Sequence, residues 1–204
     1  MNSFGRLLRF SIYGESHGTC VGVVIDGIPA GMPLDRAFLE GELQRRRPGQ
    51  GRLTTPRSET DTPNIRSGVL NEVTTGAPIA IEFANKDTKS KHYDNIAFVP
   101  RPGHADYPAH VRHGAHNDHR GGGHFSGRLT APLVAAGALA RMWLRNAGVT
   151  VGAHVAQVGD VAGEVGRLTV AEMQAGSRQN PVRTAFSALA ETMQAQAEAA
   201  RAGL

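Results

Sequence analysis

Val21-Gly22-Val23-Val24-Ile25-Asp26-Gly27-Ile28 has strand length and β-branched content, and Pro29-Ala30-Gly31 closes it as a turn. It reads as a buried strand. Asp35 then stands where a helix N-cap belongs, and Leu39 and Leu43 share the inner face of a helix reaching about Arg46. Pro48-Gly49 stops that helix, and Gly49 to Pro63, rich in Gly, Thr and Pro, reads as loop. Short strands are expected at Arg66–Leu70 and Pro78–Phe83. Pro132 to Asn146 is the clearest helix. Pro132 suits its first turn, Leu133, Leu139 and Trp143 are expected inward, and Gly148 suits the C′ position. A strand over Val149–Val158 follows, then a short helix with Thr169 and Glu172 as capping box, ending near Gly176. The last expected helix, Thr184 to Ala202, places Phe186, Leu189 and Met193 on one side. This βαβ-like alternation implies an α/β or α+β architecture.

The 204 residues suit one domain over 1–204, or one large domain cut short. No apolar run is long enough to span a bilayer, so no membrane contact is expected. Met1 to Ser11 carries Arg6 and Arg9 but neither the apolar stretch nor the cleavage site of a secretory signal. The single cysteine, Cys20, cannot form an internal disulfide, so a reducing compartment such as the cytoplasm is expected. Within its apolar run Cys20 reads as a small core residue. The net charge is +4, and the excess is unevenly placed: Arg45, Arg46 and Arg47 are consecutive, with Arg52 and Arg57 close behind. Such a cluster suits a polyanionic small molecule or a nucleic acid. Only 5% of residues are aromatic and none interleaves with the arginines, which argues against stacking on single strands.

Asn85 to Thr130 shows little apolar periodicity, and a loop-rich stretch of that length inside a domain is usually functional. Four motifs could carry chemistry. Gly14-Glu15-Ser16-His17-Gly18 sets a carboxylate, a hydroxyl and an imidazole between glycines that let a ligand approach closely; a plain polar turn before a strand reads equally well. Arg45-Arg46-Arg47-Pro48-Gly49-Gln50, with Arg52 and Arg57, offers guanidinium forks to phosphate or carboxylate oxygens, although cations at a helix C-terminus are also favoured structurally. In Arg101-Pro102-Gly103-His104-Ala105-Asp106-Tyr107, Asp106 could orient His104 or raise its basicity. Asp118-His119-Arg120-Gly121-Gly122-Gly123-His124-Phe125-Ser126-Gly127-Arg128 offers backbone N–H groups to an anion just before a helix, or else a flexible linker. His104, His110, His113, His116, His119 and His124 invite a metal reading, but no cysteine or recognisable carboxylate set completes a ligand sphere, and no metal is expected.

All four motifs, together and in this order, resemble the chorismate synthases. The likeness is nearly continuous from Phe4 to Asn146 and weaker beyond Val149. It implies an α+β chorismate synthase-like βαβ sandwich, incomplete in this chain, and a homotetramer. It also implies conversion of phosphorylated 5-enolpyruvylshikimate to chorismate by anti 1,4-elimination of phosphate, requiring reduced FMN, with NADPH or a separate source as reductant. By the family's pattern His17 is the general acid near the departing phosphate, and His104 protonates or hydrogen-bonds the reduced flavin. Arg46 and Arg52 match arginines at the anionic-ligand site, and His124, Phe125 and Ser126 fall in the flavin-contact segment. Ser16, Arg46 and Arg128 are the implied substrate contacts. Many members carry RSSARET where this chain has His124 to Thr130, HFSGRLT, a variant form that alters local flavin contacts. Members also continue past Leu204 with further flavin segments and an aspartate that assists proton removal. The expectation is therefore the N-terminal part of the enzyme, the alternative being a truncated, non-catalytic, anion-binding member of the same family.

Overall fold

A computed structural model describes residues 2–47, 49, 59–86, 99–164, 166 and 168–203. They fall into two compact units, one of Met1–Arg47 and Ser58–Trp143, the other including Leu144–Leu204.

The first unit is built on a five-stranded antiparallel sheet. Its strands are β1 (Ser3–Gly5), β2 (Arg9–Gly14), β3 (Cys20–Asp26), β7 (Ile79–Ala84) and β4 (Asn64–Ser67), hydrogen-bonded in that order. Between β4 and β7 lies a small hairpin of β5 (Val69–Leu70) and β6 (Val73–Thr74). The expected central strand is β3. Its alternate residues Val21, Val23 and Ile25 are at most 1% exposed, whereas Val24, facing the other way, is 39% exposed. That two-residue period is the pleat expressed as burial. Antiparallel pairing throughout makes the fold α+β rather than α/β.

Helix α1 (Arg36–Arg46) begins at Asp35, whose carboxylate accepts from the Phe38 N–H, and it buries Leu39 and Leu43 completely. Helix α3 (Thr130–Asn146) presents Ala131, Ala135, Ala138, Leu139 and Met142 to the same core as β3, β7 and α1. Small alanines let that helix approach closely, while each fully buried leucine contributes about 1.5–3 kcal/mol of apolar burial. Glu42 of α1 accepts from Arg141 of α3 at 2.7 Å, and the Arg141 guanidinium lies 5.0 Å from the Phe38 ring centroid. Trp143, expected inward, is 36% exposed, and Leu133 is only half-buried; the buried stripe runs through the alanines instead.

Two elements of the first unit were not expected. The β1–β2 hairpin was not anticipated: β1 has three residues, all exposed, and β2 alternates exposed with half-buried residues, so neither shows a buried apolar face. Asp106–Arg112, within the stretch read as loop, forms a short helix α2.

The second unit holds the β8 (Gln157–Val158) and β9 (Val161–Ala162) hairpin and helices α4 (Val170–Gly176) and α5 (Ala190–Ala202). The Thr169–Glu172 capping box is present in full. The strand expected over Val149–Val158 shrinks to Gln157–Val158. Its upstream residues take irregular backbone and bond to neighbouring segments: the Val151 carbonyl accepts from the Gln174 side chain and the Val155 N–H donates to the Arg183 carbonyl. The last helix starts at Ala190, six residues later than Thr184, because Asn180 binds both the N–H and the carbonyl of Thr184 in a turn.

Candidate active site

Residues 15–19 form the loop joining antiparallel β2 to β3, with Gly14 paired to Val21 at its mouth. Gly14 has φ +94°, and a Cβ there would lie 2.3 Å from the Cys20 carbonyl oxygen, so only glycine closes this hairpin. Inside the loop Ser16 is fully buried and His17 half-buried.

The triglycine segment folds back onto this loop. Gly121, Gly122 and Gly123 all have positive φ, at 60°, 82° and 53°. The Ser16 N–H donates to the Gly123 carbonyl at 3.0 Å, the Ser126 hydroxyl to the Ser16 hydroxyl at 3.1 Å, and the His124 Nδ1–H to the Gly14 carbonyl at 2.9 Å. Because a carbonyl can only accept, the last bond places the proton of a neutral His124 on Nδ1. A Cβ on Gly121 would sit 2.5 Å from His17 Cδ2 and 2.6 Å from Nε2, so the imidazole lies directly against the bare glycine backbone. Two motifs more than a hundred residues apart in sequence thus form one structure.

Arg101 brings the third motif in, its Nη2 lying 3.5 Å from where a Gly122 Cβ would be. The Asp106 carboxylate is engaged by Arg101 rather than by His104: it accepts from the Arg101 N–H at 3.0 Å, from Nε at 2.8 Å and from Nη2 at 3.0 Å. Those hydrogen bonds, chiefly the guanidinium pair, hold its pKa below the ordinary aspartate range against the opposing effect of burial. Asp118 is lowered for the same reason by Arg120. The expectation that Asp106 orients His104 is corrected accordingly. His104 is exposed, and its Nδ1 lies 3.2 Å from the Pro102 carbonyl within the turn.

Of the arginine run, Arg45 pairs with Glu42 at 3.1 Å and Arg46 with Asp61 at 2.6 Å. Arg46 Nε also donates to the Thr130 hydroxyl at 3.1 Å. Arg52, Arg57 and Gln50 lie outside the described residues. Arg128 is buried, its side chain 1% exposed, and every guanidinium nitrogen has a partner: Nη1 the Asp61 carboxylate, Nε the Asn85 side-chain carbonyl, Nη2 the Ala84 carbonyl. Three of its five N–H donors are thus committed to the scaffold and the side chain is buried, so the arrangement favours a holding role. Phe125 keeps 46% of its surface exposed, with the His113 and His124 rings 6.0 and 6.2 Å from its centroid.

Sequence reasoning did not single out Asp61 or Asn85. Asp61 is 2% exposed and takes φ 48°. Its one sequence cue was a carboxylate in the loop after five arginines; its pairing with Arg128, 67 residues away, has no local signature.

The chorismate synthase family model matches residues 8–203. The chain belongs to the chorismate synthase family. Among relatives, the chorismate synthase of Methanococcoides burtonii is 52% identical over 160 residues, 78% of this chain and 43% of the relative. That of Pyrococcus abyssi is 49% identical over 177 residues, 87% of this chain and 48% of the relative. A crystal structure of chorismate synthase superposes with a TM-score of 0.67 at 25% identity, covering 97% of this chain and 54% of the other. The chain therefore spans about half the length of the chorismate synthases it matches.

Proposed function

We propose that this chain carries part of a chorismate synthase active site, eliminating phosphate from 5-enolpyruvylshikimate-3-phosphate to give chorismate. In that 1,4-elimination a C–O bond to phosphate breaks, a C–H proton departs from the opposite face, and no electrons are gained or lost overall. The observation that carries the reading is His17 lying against the Gly121 backbone inside the junction of the first and fourth motifs. A proton donor held beside a flexible-backbone cradle is what a departing phosphate dianion needs. Arg46, and Arg52 beyond the described residues, are proposed to supply the compensating positive charge.

Reduced FMN, when bound, supplies transient electron density for the departure of phosphate. The residues present fit such a flat, polar-edged group: Phe125 is partly exposed beside His113 and His124, and His124 has one ring nitrogen anchored to Gly14 while the other is not used in that bond. Phe125, Ser126 and His124 are proposed to hold it, and His104, exposed on the neighbouring turn, to exchange a proton or hydrogen bond at its edge. A homotetramer, a cytoplasmic setting and NADPH as reductant accompany the proposal through the family.

The test is phosphate release from 5-enolpyruvylshikimate-3-phosphate by the purified protein with reduced FMN under anaerobic conditions. Stoichiometric phosphate and chorismate are expected. No release, with inorganic phosphate still bound by the folded protein, would replace this reading with that of a non-catalytic anion-binding member of the family.

A further inference from the structure

A chain of polar contacts, buried at its centre, runs from α1 to the His17 loop. The Asp61 carboxylate, with no exposed side-chain surface, binds two guanidiniums at once: Arg46 through Oδ2 at 2.6 Å and Arg128 through Oδ1. Arg128 passes the constraint on, its Nε donating to the Asn85 side-chain carbonyl at 2.9 Å. That bond fixes which end of the Asn85 amide is oxygen. The NH₂ end is then committed to the other side, where it donates to the Glu15 carbonyl at 3.0 Å and the Gly18 carbonyl at 2.9 Å. The Asn85 backbone N–H donates to the Thr19 carbonyl at 3.0 Å as well. The Glu15 and Gly18 carbonyls, on either side of Ser16 and His17, are therefore tied to one side chain.

We propose that Asp61 and Asn85 are positioning residues for His17: Asp61 fixes Arg128, Arg128 fixes the Asn85 amide, and that amide holds the Glu15–Gly18 loop so that the imidazole stays against Gly121. The physical need is clear from the loop itself. It is short and sits at a hairpin end, where backbone would otherwise sample several conformations. An acid that must meet a departing oxygen within hydrogen-bond reach loses efficiency with small displacements. Asp61 also supplies one negative charge between two cations, Arg128 buried and Arg46 half-buried, without which they would repel each other and the loop's support would open. The link to catalysis rests on His17 being the acid; the link between Asn85 and the loop does not.

The experiment compares wild type with Asn85→Asp and Asn85→Ala by NMR on the full 204-residue chain. Asn85→Asp is nearly isosteric. It keeps an acceptor for Arg128 but sets a carboxylate oxygen against the Glu15 and Gly18 carbonyls. Its global unfolding midpoint should stay close to wild type. The backbone order parameters of residues 16–18 should fall from about 0.85 to below about 0.6, and the His17 ring-carbon shifts should move. Asn85→Ala should loosen the same residues while leaving the Asp61 ion pairs in place, which guards against a charge artefact in the Asp variant. A folded Asn85→Asp protein with unchanged order at residues 16–18 and unchanged His17 shifts overturns the proposal. The turnover of His17→Ala is read separately. If His17→Ala remains fully active while Asn85→Asp loosens the loop, the positioning stands and the catalytic reading falls; if His17→Ala is dead and Asn85→Asp leaves the loop rigid, the reverse holds.

Discussion

At the residue scale, two glycines carry the site's geometry. Gly121→Ala would place a methyl 2.5 Å from His17 Cδ2 at a backbone φ of 60°, so the imidazole must move. The expected outcome is at least a ~10-fold loss in kcat, from the misplacement of an acid that contributes about 10²–10⁴-fold. Gly123 has φ 53° with ψ −127°, and a Cβ there would lie 1.9 Å from the Asp118 carbonyl oxygen. Gly123→Ala should destabilise the protein by about 1–3 kcal/mol or more, read from the denaturant midpoint. Asp106 supplies a pH-dependent term. Its pKa is lowered in the folded state, first by the guanidinium hydrogen bonds of Arg101, so its stabilisation is present above the unfolded aspartate value of about 3.9. That stabilisation is lost as pH falls through the lower folded value. Asp106→Asn should therefore flatten the acid limb of the stability curve and leave its slope near neutrality unchanged. Triglycine in sequence announced an unusual backbone; it did not announce that His17 would be what approached it, because that contact joins residues over a hundred positions apart.

At the element scale, legibility followed length and periodicity. Strand β3, helix α1 with its Asp35 cap, helix α3 with Gly148 past its end, and the Thr169 capping box all carry local signatures, and all are present. Short strands such as β1, β8 and β9 carry only two or three residues of pattern each, too few to distinguish from loop. Val149–Val158 has strand-like β-branched content, but Val151 and Val155 find a glutamine side chain and an arginine carbonyl rather than a neighbouring strand, and the ladder forms only at Gln157–Val158. The α1 packing is open to test. Leu43 is fully buried between helix and sheet. Leu43→Ala should cost about 2–5 kcal/mol in equilibrium unfolding, whereas a surface change on the same helix, Glu40→Ala, should stay within about 0.5 kcal/mol.

At the scale of the molecule, the site is assembled by long-range polar contacts within the first unit. Asp61 reaches Arg46 across 15 residues and Arg128 across 67, and Asn85 reaches Glu15 across 70. None of these separations has a sequence period, so family likeness pointed to Arg46, Arg128 and His17 without showing that a shared carboxylate and an amide connect them. Removing the shared carboxylate, as in Asp61→Ala, leaves the buried Arg128 and the half-buried Arg46 with no counter-charge between them and should destabilise the fold by about 3–5 kcal/mol. Contacts join the first, third and fourth motifs, with Asp106 bound to Arg101 and Arg128 bound to Asp61 and Asn85. The most direct measurement is kcat for phosphate release by His17→Ala beside wild type, at saturating 5-enolpyruvylshikimate-3-phosphate and reduced FMN. A fall of about 10²–10⁴-fold with the fold intact is the predicted result; turnover equal to wild type would contradict it.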